Sequence, residues 1–588
     1  MRHPVSDYVE DRPNDRVFQI DPSAFVDPDV FELELTGIFE RTWIFLALET
    51  QLREPNDFVT SKIGRTPVLV TKDRDGKIRG FINLCRHKGA LLCSREEGNS
   101  AAHVCPYHHW SYSASGRHLG MKDKSEARYP PGFGRDELNL IPVRLETYGG
   151  LIFGSLSNDV PPLDQFLGDV RMFIDLIMSQ GAHGMEFIPG RAPYTFHANW
   201  KLQQDNGLDP YHVTSTHKSL LDLQNRRAQA TEGMTVRGRD WQKHQAVQYH
   251  NFTFPHGHAV LFTEPSEPEK RPIYPSLAEI RARVGEARAV NMLYGVQIHL
   301  FPNLQLASEM ACIFRKFHPL EVGLTEMEVR CLGVIGESAK ERALRLRQFE
   351  DFFNASGMAS PALISRPADW VSRLPRVSVC RLVLALRRIC TRPIASGGGC
   401  STQPLPGASH MIEFPFLEQP SAALCRDFLE ARDRVELEAM LLDLGRWSEW
   451  LELFTDDVRY WVPTWRSDGN LTADPQTELS HIFYDSRGAL EDRVSRFTSP
   501  TSPASNPAPR TAHVLSGFRL LQGSEPGQLQ IGYAWATHVF FPQRKVSHVY
   551  FGLQRETLLR RAESWLIREK TVVIQNDYIP TMLDIYCL

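Results

Sequence analysis

The sequence predicts an α+β multidomain protein, and three observations carry that prediction. The chain has 588 residues, which as a length prior corresponds to three or four domains. Strand-like runs bounded by turn signals and amphipathic helical runs come in blocks. That is the pattern of antiparallel sheet with helices set against it. Between residues 361 and 410 the composition changes abruptly and divides the chain. At 42% hydrophobic and 23% charged residues the whole reads as ordinary globular protein. The net charge of −4 gives no basic field for nucleic acid or an anionic membrane. No apolar run reaches the length of a membrane span. The N-terminal text MRHPVSDYVEDRPNDR is polar and acidic, without an apolar signal core, so a cytoplasmic location is expected. Ten cysteines are too sparse for a disulfide scaffold, and clustered Cys and His in a reducing compartment read as metal ligands.

Residues 1–40 read as a leader with one acidic helix, DPDVFELELTGIFERTW. Residues 41–158 are rich in short strand-like runs, DFVTSKI, TPVLVTKDRDGKIRGFINL and YGGLIFGSL, with DRDG as a hairpin signal. Residues 159–361 mix helical stretches (PPLDQFLGDVRMFIDLIM, SAKERALRLRQFEDFFN) with strand-like ones (IHLFPNLQLA, EMEVRCLGVI). Residues 361–410 carry seven Arg, no Lys and one Asp, a local charge of +6, with three cysteines and a GGG run. The later half fits an interdomain linker; the arginine-rich, apolar earlier half does not. Residues 411–588 return to globular texture. The helical pattern DRVELEAMLLDLGRWSEWLELF is followed by four strand-like runs, VRYWVPTW, LQIGYAWATHVFF, VSHVYFGLQRETL and SWLIREKTVVI.

The stretch CRHKGALLCSREEGNSAAHVCPYHHW, residues 85–110, offers seven candidate ligands. Cys85 and His87 form C-x-H, Cys105 and His108 form C-x2-H, and 17 residues separate the pairs. Four such ligands can hold zinc tetrahedrally. Zinc ribbons favour C-x2-C pairs, however, and two Cys on one iron with two His on the other is the Rieske [2Fe–2S] arrangement. Imidazoles are neutral where thiolates are charged, which raises the potential to roughly −150 to +300 mV. Such a cluster relays single electrons. The remaining candidates take plainer roles: Cys93 as a small packed residue, His103 as a solvated one, and His109 as the neighbour of the ligand histidine.

A second constellation lies in NWKLQQDNGLDPYHVTSTH, residues 199–217. His212 and His217 are five residues apart, about 140° around an ideal helix, so they converge only where a helix is broken. Asp209-Pro210 supplies a break. Two His and one carboxylate with open positions form the facial triad of non-haem Fe(II) sites that use O₂.

Here the sequence resembles the Rieske non-haem iron aromatic-ring-hydroxylating dioxygenases, in particular the benzoate, anthranilate and 2-halobenzoate group. WIFLALETQLREPNDFVTSKIGR, CRHKGALLC, NWKLQQDNGLDPYHVTSTH, LFPNLQL and RQFEDFFNASGMASP are similar to the large subunit over roughly residues 25–360. WLELFTDDVRYWVPTW, LTADPQTELSHIFYDSRGALEDRV and IQNDYIPTMLDIY resemble the small subunit. The chain thus looks like a fusion of two subunits that are normally separate. The resemblance implies a β-rich Rieske domain, an α+β catalytic domain with an antiparallel sheet, and a cone-like small-subunit domain. It implies Cys85, His87, Cys105 and His108 as cluster ligands and His212 and His217 as iron ligands. Asp209 would bridge a cluster histidine of a neighbouring subunit to an iron ligand. The implied reaction is cis-dihydroxylation of an aromatic carboxylate by O₂. Electrons would come from NADH through a separate reductase, directly or by way of a ferredoxin. The implied assembly is a head-to-tail trimer of fused chains, equivalent to three large and three small subunits.

The chain departs from the family after FFNASGM. The third iron ligand, a carboxylate, is expected just after Pro361, where Ala362 and Leu363 stand. The nearest downstream carboxylate is Asp369. Two expectations follow: Asp369 completes the site in a remodelled loop, or residues 362–410 are out-of-frame text and the chain is an oxygenase lacking its third ligand. His109 stands where the family usually has Gly. For the substrate carboxylate the candidate anchors are Asn206, Asn303, Gln305 and Arg315. Benzoate, anthranilate and 2-halobenzoate fit these equally. Competing readings are an electron-transferring Rieske protein and a zinc-binding structural protein.

Overall fold

The computed structural model describes residues 8–122, 136–229, 240, 247–352, 354–359, 377–378, 414–418, 420–502, 505–562 and 564–588. Asp369 and all but two residues of the 362–410 segment lie outside these. The architecture is α+β, and the described strands form five sheets.

The leader is more than a single helix. Val9–Arg12 and Val17–Ile20 pair as a hairpin, and Val17–Ile20 also pairs with Val377–Ser378. Alternation in VFQI turns Phe18 and Ile20 inward beside Phe25, which the acidic composition of the leader masks. The acidic helix is present as Pro28–Glu34, capped by Asp27, and continues as a π turn over Leu35–Phe39. Glu34 is buried. It accepts from Trp200 Nε1 at 2.9 Å and Lys201 Nζ at 2.5 Å, tying the leader to the helix Trp200–Asn206.

A seven-stranded antiparallel sheet follows, in the order Ile44–Leu48, Leu151–Ser155, Pro142–Tyr148, Ile78–Ile82, Thr66–Lys72, Asp57–Ile63, Glu97–Asn99. The DRDG signal is a hairpin turn: Asp73 accepts from the backbone N–H groups of Asp75 and Lys77 and from Arg79. A three-stranded sheet (Ala102–Val104, Ser111–Ser113, His118–Gly120) carries the second Cys–His loop.

The second large sheet has eight antiparallel strands, with Gly295–Leu300, Leu304–Ser308, Cys312–Glu321 and Leu324–Val334 at its centre. One face, with Val296, Ile298, Leu306 and Phe314, packs toward the helix Arg171–Met178 and Trp43. The other face belongs to a core that runs without a break into the C-terminal part, from Ile313, Met327 and Phe349 to Val435, Trp450, Tyr533 and Leu583. There a six-stranded sheet is built from long strands, Gln528–Phe541 and Val546–Arg561 the longest, packed on the helix Ala422–Asp443. Phe454–Pro463 runs parallel to Ser564–Ile574; the other pairs are antiparallel. Backbone hydrogen bonds stitch the two parts together: Leu479 N–H to Pro189 O, Thr195 N–H to Ile579 O, and Leu583 N–H to Ala355 O. Among the described residues, no helix is long and apolar enough to cross a membrane.

Candidate metal centres

The two Cys–His loops have the same backbone plan. Cys85 N–H donates to Ala90 O and Gly89 N–H donates to Cys85 O. Four residues after Cys105 the pattern repeats: Cys105 N–H donates to Trp110 O, and His109 N–H to Cys105 O. Both loops place the residue four after the Cys in the left-handed region, Gly89 at φ 72° and His109 at φ 59°. Glycine is at ease there, and a residue with a β-carbon is strained. His109 thus occupies a position that suits glycine, and its side chain is exposed. His109→Gly is expected to raise the stability of this region by about 1 kcal/mol, read as a higher thermal midpoint for loss of near-ultraviolet dichroism.

Cys85 and Cys105 are buried together with Phe58, Leu69, Phe81, Trp110 and Tyr112. Tyr112 Oη accepts from Arg86 N–H at 3.0 Å, which leaves its own O–H to point at Cys85 Sγ, 3.5 Å away. His87 stacks on Trp110 and meets His108 edge to face, ring centroids 4.6 Å apart. Burial first, then the neighbouring His108, lowers the His87 pKa and keeps its ring neutral. Its Nδ1 is buried and has no hydrogen-bond partner among the described residues. A buried imidazole nitrogen beside a second imidazole, with two buried thiols behind them, fits a cluster that takes two Cys on one iron and two His on the other. His103, expected in solvent, is instead buried edge-on against Phe58. Strand alternation in Ala102–Val104 turns it inward, and burial lowers its pKa to about 4. Cys93 is half-buried beside this core, with its Sγ directed at Arg95 O.

The second centre sits where one helix stops and another starts. Trp200–Asn206 is capped by Asn199 and ends before Gly207; Asp209-Pro210 then turns the chain. His212 precedes the single turn Val213–Thr216, and His217, at φ −100° and ψ 17°, separates it from the helix Lys218–Gln229. The break rotates the two rings onto one point: His212 Nε2 and His217 Nε2 are 3.1 Å apart. Two nitrogens binding one ion at about 2.1 Å and a right angle would be about 3.0 Å apart, so the pair fits a shared metal. Burial, then His212 and Arg315, pushes the His217 pKa down to about 3, which keeps a lone pair available. Asp209 Oδ2 lies 3.2 Å from His212 Nδ1, and its Oδ1 accepts from Tyr211 N–H. Among the described residues, no group of three or more His, Cys, Asp or Glu converges on a single ion. That holds for both centres. For a [2Fe–2S] cluster two protein ligands per iron are what is needed; for a mononuclear site they are one short.

The candidate anchors separate clearly. Asn303 exchanges both of its amide hydrogen bonds with the backbone of Phe45, a structural bridge between sheets. Gln305 and Arg315 are buried on adjacent strands, Arg315 Nη1 donating to Gln305 Oε1 at 3.0 Å. Gly207 lies so close to Gln305 that a β-carbon there would meet Nε2 at 1.8 Å. His299, buried on the neighbouring strand, carries no motif and emerges only from strand register.

Known proteins resemble the chain in three segments. Residues 42–131 match the Rieske [2Fe-2S] domain, residues 188–359 the ring hydroxylating alpha subunit (catalytic domain), and residues 437–581 the ring hydroxylating beta subunit. Toluate 1,2-dioxygenase subunit alpha of Pseudomonas putida is 37% identical over 61% of this chain and 79% of its own length. The 2-halobenzoate 1,2-dioxygenase large subunit of Burkholderia cepacia is 36% identical over 61% and 78%. The anthranilate 1,2-dioxygenase large subunit of Acinetobacter baylyi is 37% identical over 61% and 78%. Naphthalene 1,2-dioxygenase from Rhodococcus sp., solved with indole bound, superposes with a TM-score of 0.52 at 26% identity over 60% of this chain and 82% of that one. Fold and matched segments agree, and the chain belongs to the Rieske non-haem iron aromatic-ring-hydroxylating dioxygenases, enzymes of the terminal-oxygenase type, with large- and small-subunit regions joined in one polypeptide.

Proposed function

We propose that the protein is the terminal oxygenase that adds both atoms of O₂ to an aromatic carboxylate as a cis-diol. Benzoate, anthranilate and 2-halobenzoate are its candidate substrates. Electrons come from NADH through a separate reductase, directly or through a ferredoxin. The observation that carries this reading is the 3.1 Å approach of His212 Nε2 and His217 Nε2 across a broken helix. When bound, the mononuclear iron supplies dioxygen activation and the [2Fe–2S] cluster supplies single electrons.

In this reading Cys85, His87, Cys105 and His108 hold the cluster. His217 and His212 present imidazole nitrogens to the iron, and Asp209 accepts the Nδ1–H of His212 and fixes that ring's orientation. Tyr211 beside Asp209 and Tyr107 beside His108 are large aromatics left exposed, at 90% and 68%. Their exposure supports a head-to-tail trimer in which the cluster of one chain faces Asp209 of the next. The regions 41–158, 159–361 and 411–588 are the Rieske, catalytic and small-subunit parts of this proposal.

A second reading, an impaired oxygenase, is favoured by one observation. Met358 and Ala359 pack on Leu220 and Leu223, in the helix that begins directly after His217. The described chain thus runs to Ala359 beside the helix that follows His217, and the sequence then continues through Pro361 to Ala362 and Leu363, not a carboxylate. Iron analysis of the full chain and its Asp369→Ala variant separates the two. About three irons per chain, falling to about two in the variant, make Asp369 the third ligand; about two in both mark the impaired form. Oxygen uptake with benzoate or anthranilate, reductase and NADH, with cis-diol as product, tests the activity; no uptake from iron-replete protein would sink the oxygenase reading.

A further inference from the structure

His299, Gln305 and Arg315 stand directly opposite one another on three adjacent strands, so their side chains leave the same face of the eight-stranded sheet. Their neighbours on that face, Ala307, Ile313, Phe317 and Val329, are apolar and buried. The row is itself buried, at 3%, 1% and 7% exposure. It lies beside the segment that leads to the His212–His217 pair: Gln305 abuts Gly207, at the end of the helix before that pair. Gln305 Nε2 and both ring nitrogens of His299 are buried and have no hydrogen-bond partner among the described residues. An ordinary core does not keep such groups; a ligand that completes them explains their retention.

We propose that the His299–Gln305–Arg315 row binds the carboxylate of the aromatic acid and thereby orients the ring toward His212 and His217. This rests on the aromatic-acid reading given above. The guanidinium supplies the one buried positive charge of the row. Gln305 Nε2 supplies a second donor, held in place because its Oε1 accepts from Arg315. His299 stays neutral, its pKa pushed down to about 3 by burial, and donates from one ring nitrogen without adding charge. A carboxylate meets charge-assisted hydrogen bonds here, whereas a neutral analogue of the same shape meets weaker ones.

Titration calorimetry on the full chain with benzoate and its neutral isostere benzamide tests the row. The wild type is expected to bind benzoate more tightly. Arg315→Met should weaken benzoate about tenfold or more and change benzamide by no more than about threefold. Gln305→Glu, isosteric and paired internally with Arg315, should lose benzoate to a similar degree with an unchanged thermal midpoint, which separates lost recognition from lost folding. A wild type that prefers benzoate, with both variants keeping that preference, overturns the row and leaves the substrate reading standing. A wild type without preference overturns the substrate reading and the row together.

Discussion

Asp584→Ala is expected to lower the free energy of unfolding by about 3–5 kcal/mol, the cost of stranding buried cations. Asp584 is fully buried and pairs with two arginines, Arg493 Nε at 2.7 Å and Arg496 Nη2 at 2.5 Å, both themselves inaccessible. Without it, two buried guanidinium charges remain with no carboxylate against them among the described residues. The damage reaches across the molecule, because Arg493 also donates to Ser356 O at 2.7 Å and to Tyr484 Oη at 3.1 Å. Ser356 belongs to the turn that brings Met358 and Ala359 onto the helix after His217. The chemical-denaturation midpoint measures the loss. Asp584→Asn, which keeps the shape and one acceptor, should fall between. An Asp584→Ala chain as stable as the wild type would show that the two arginines are solvated.

The other large effect belongs to His217. Titrating iron-depleted protein with Fe(II) under anaerobic conditions, His217→Ala should weaken mononuclear binding roughly 100-fold or more. The electron paramagnetic resonance signal of the reduced cluster should persist, since Cys85, His87, Cys105 and His108 lie in a separate sheet system. Asp209→Ala should cost less, about 10–100-fold, because it removes only the partner of His212 Nδ1. Equal loss of the cluster signal in His217→Ala would mean that the variant acts by unfolding.

How much of this was legible in the sequence depended on what kind of information each feature needs. Spacing exposed both candidate metal-binding groups, since C-x-H, C-x2-H and a Pro-broken H-x4-H are local patterns. Alternation and helical periodicity exposed the strands and helices that bear them. The leader hairpin was not legible, because its partner strand at Val377–Ser378 is more than 350 residues away and its apolar positions number too few to show. His103 was misjudged because its burial comes from Phe58, a residue on another sheet. His109 was anomalous as text and became intelligible only when the two loops could be laid over one another, Gly89 against His109. Gln305 and Arg315 stood out as candidate anchors in the text, whereas the place of His299 opposite Gln305 needed register, which no single strand contains. Asp369 and the arginine-rich segment lie outside the described residues, so the frame-shift expectation rests on the text of residues 362–410 alone.

The shared core from Met327 to Leu583 has a consequence for assembly. In a two-chain enzyme this contact is a bimolecular encounter, and dilution pulls it apart. Here the partners are covalently joined, so closing the contact is an event within one molecule, at an effective concentration that the length of the connecting segment sets. Equal stoichiometry of the two parts is then guaranteed at synthesis, whatever the cell's expression levels. In the proposed trimer, contacts between fused chains would be lost on dilution before the one inside each of them.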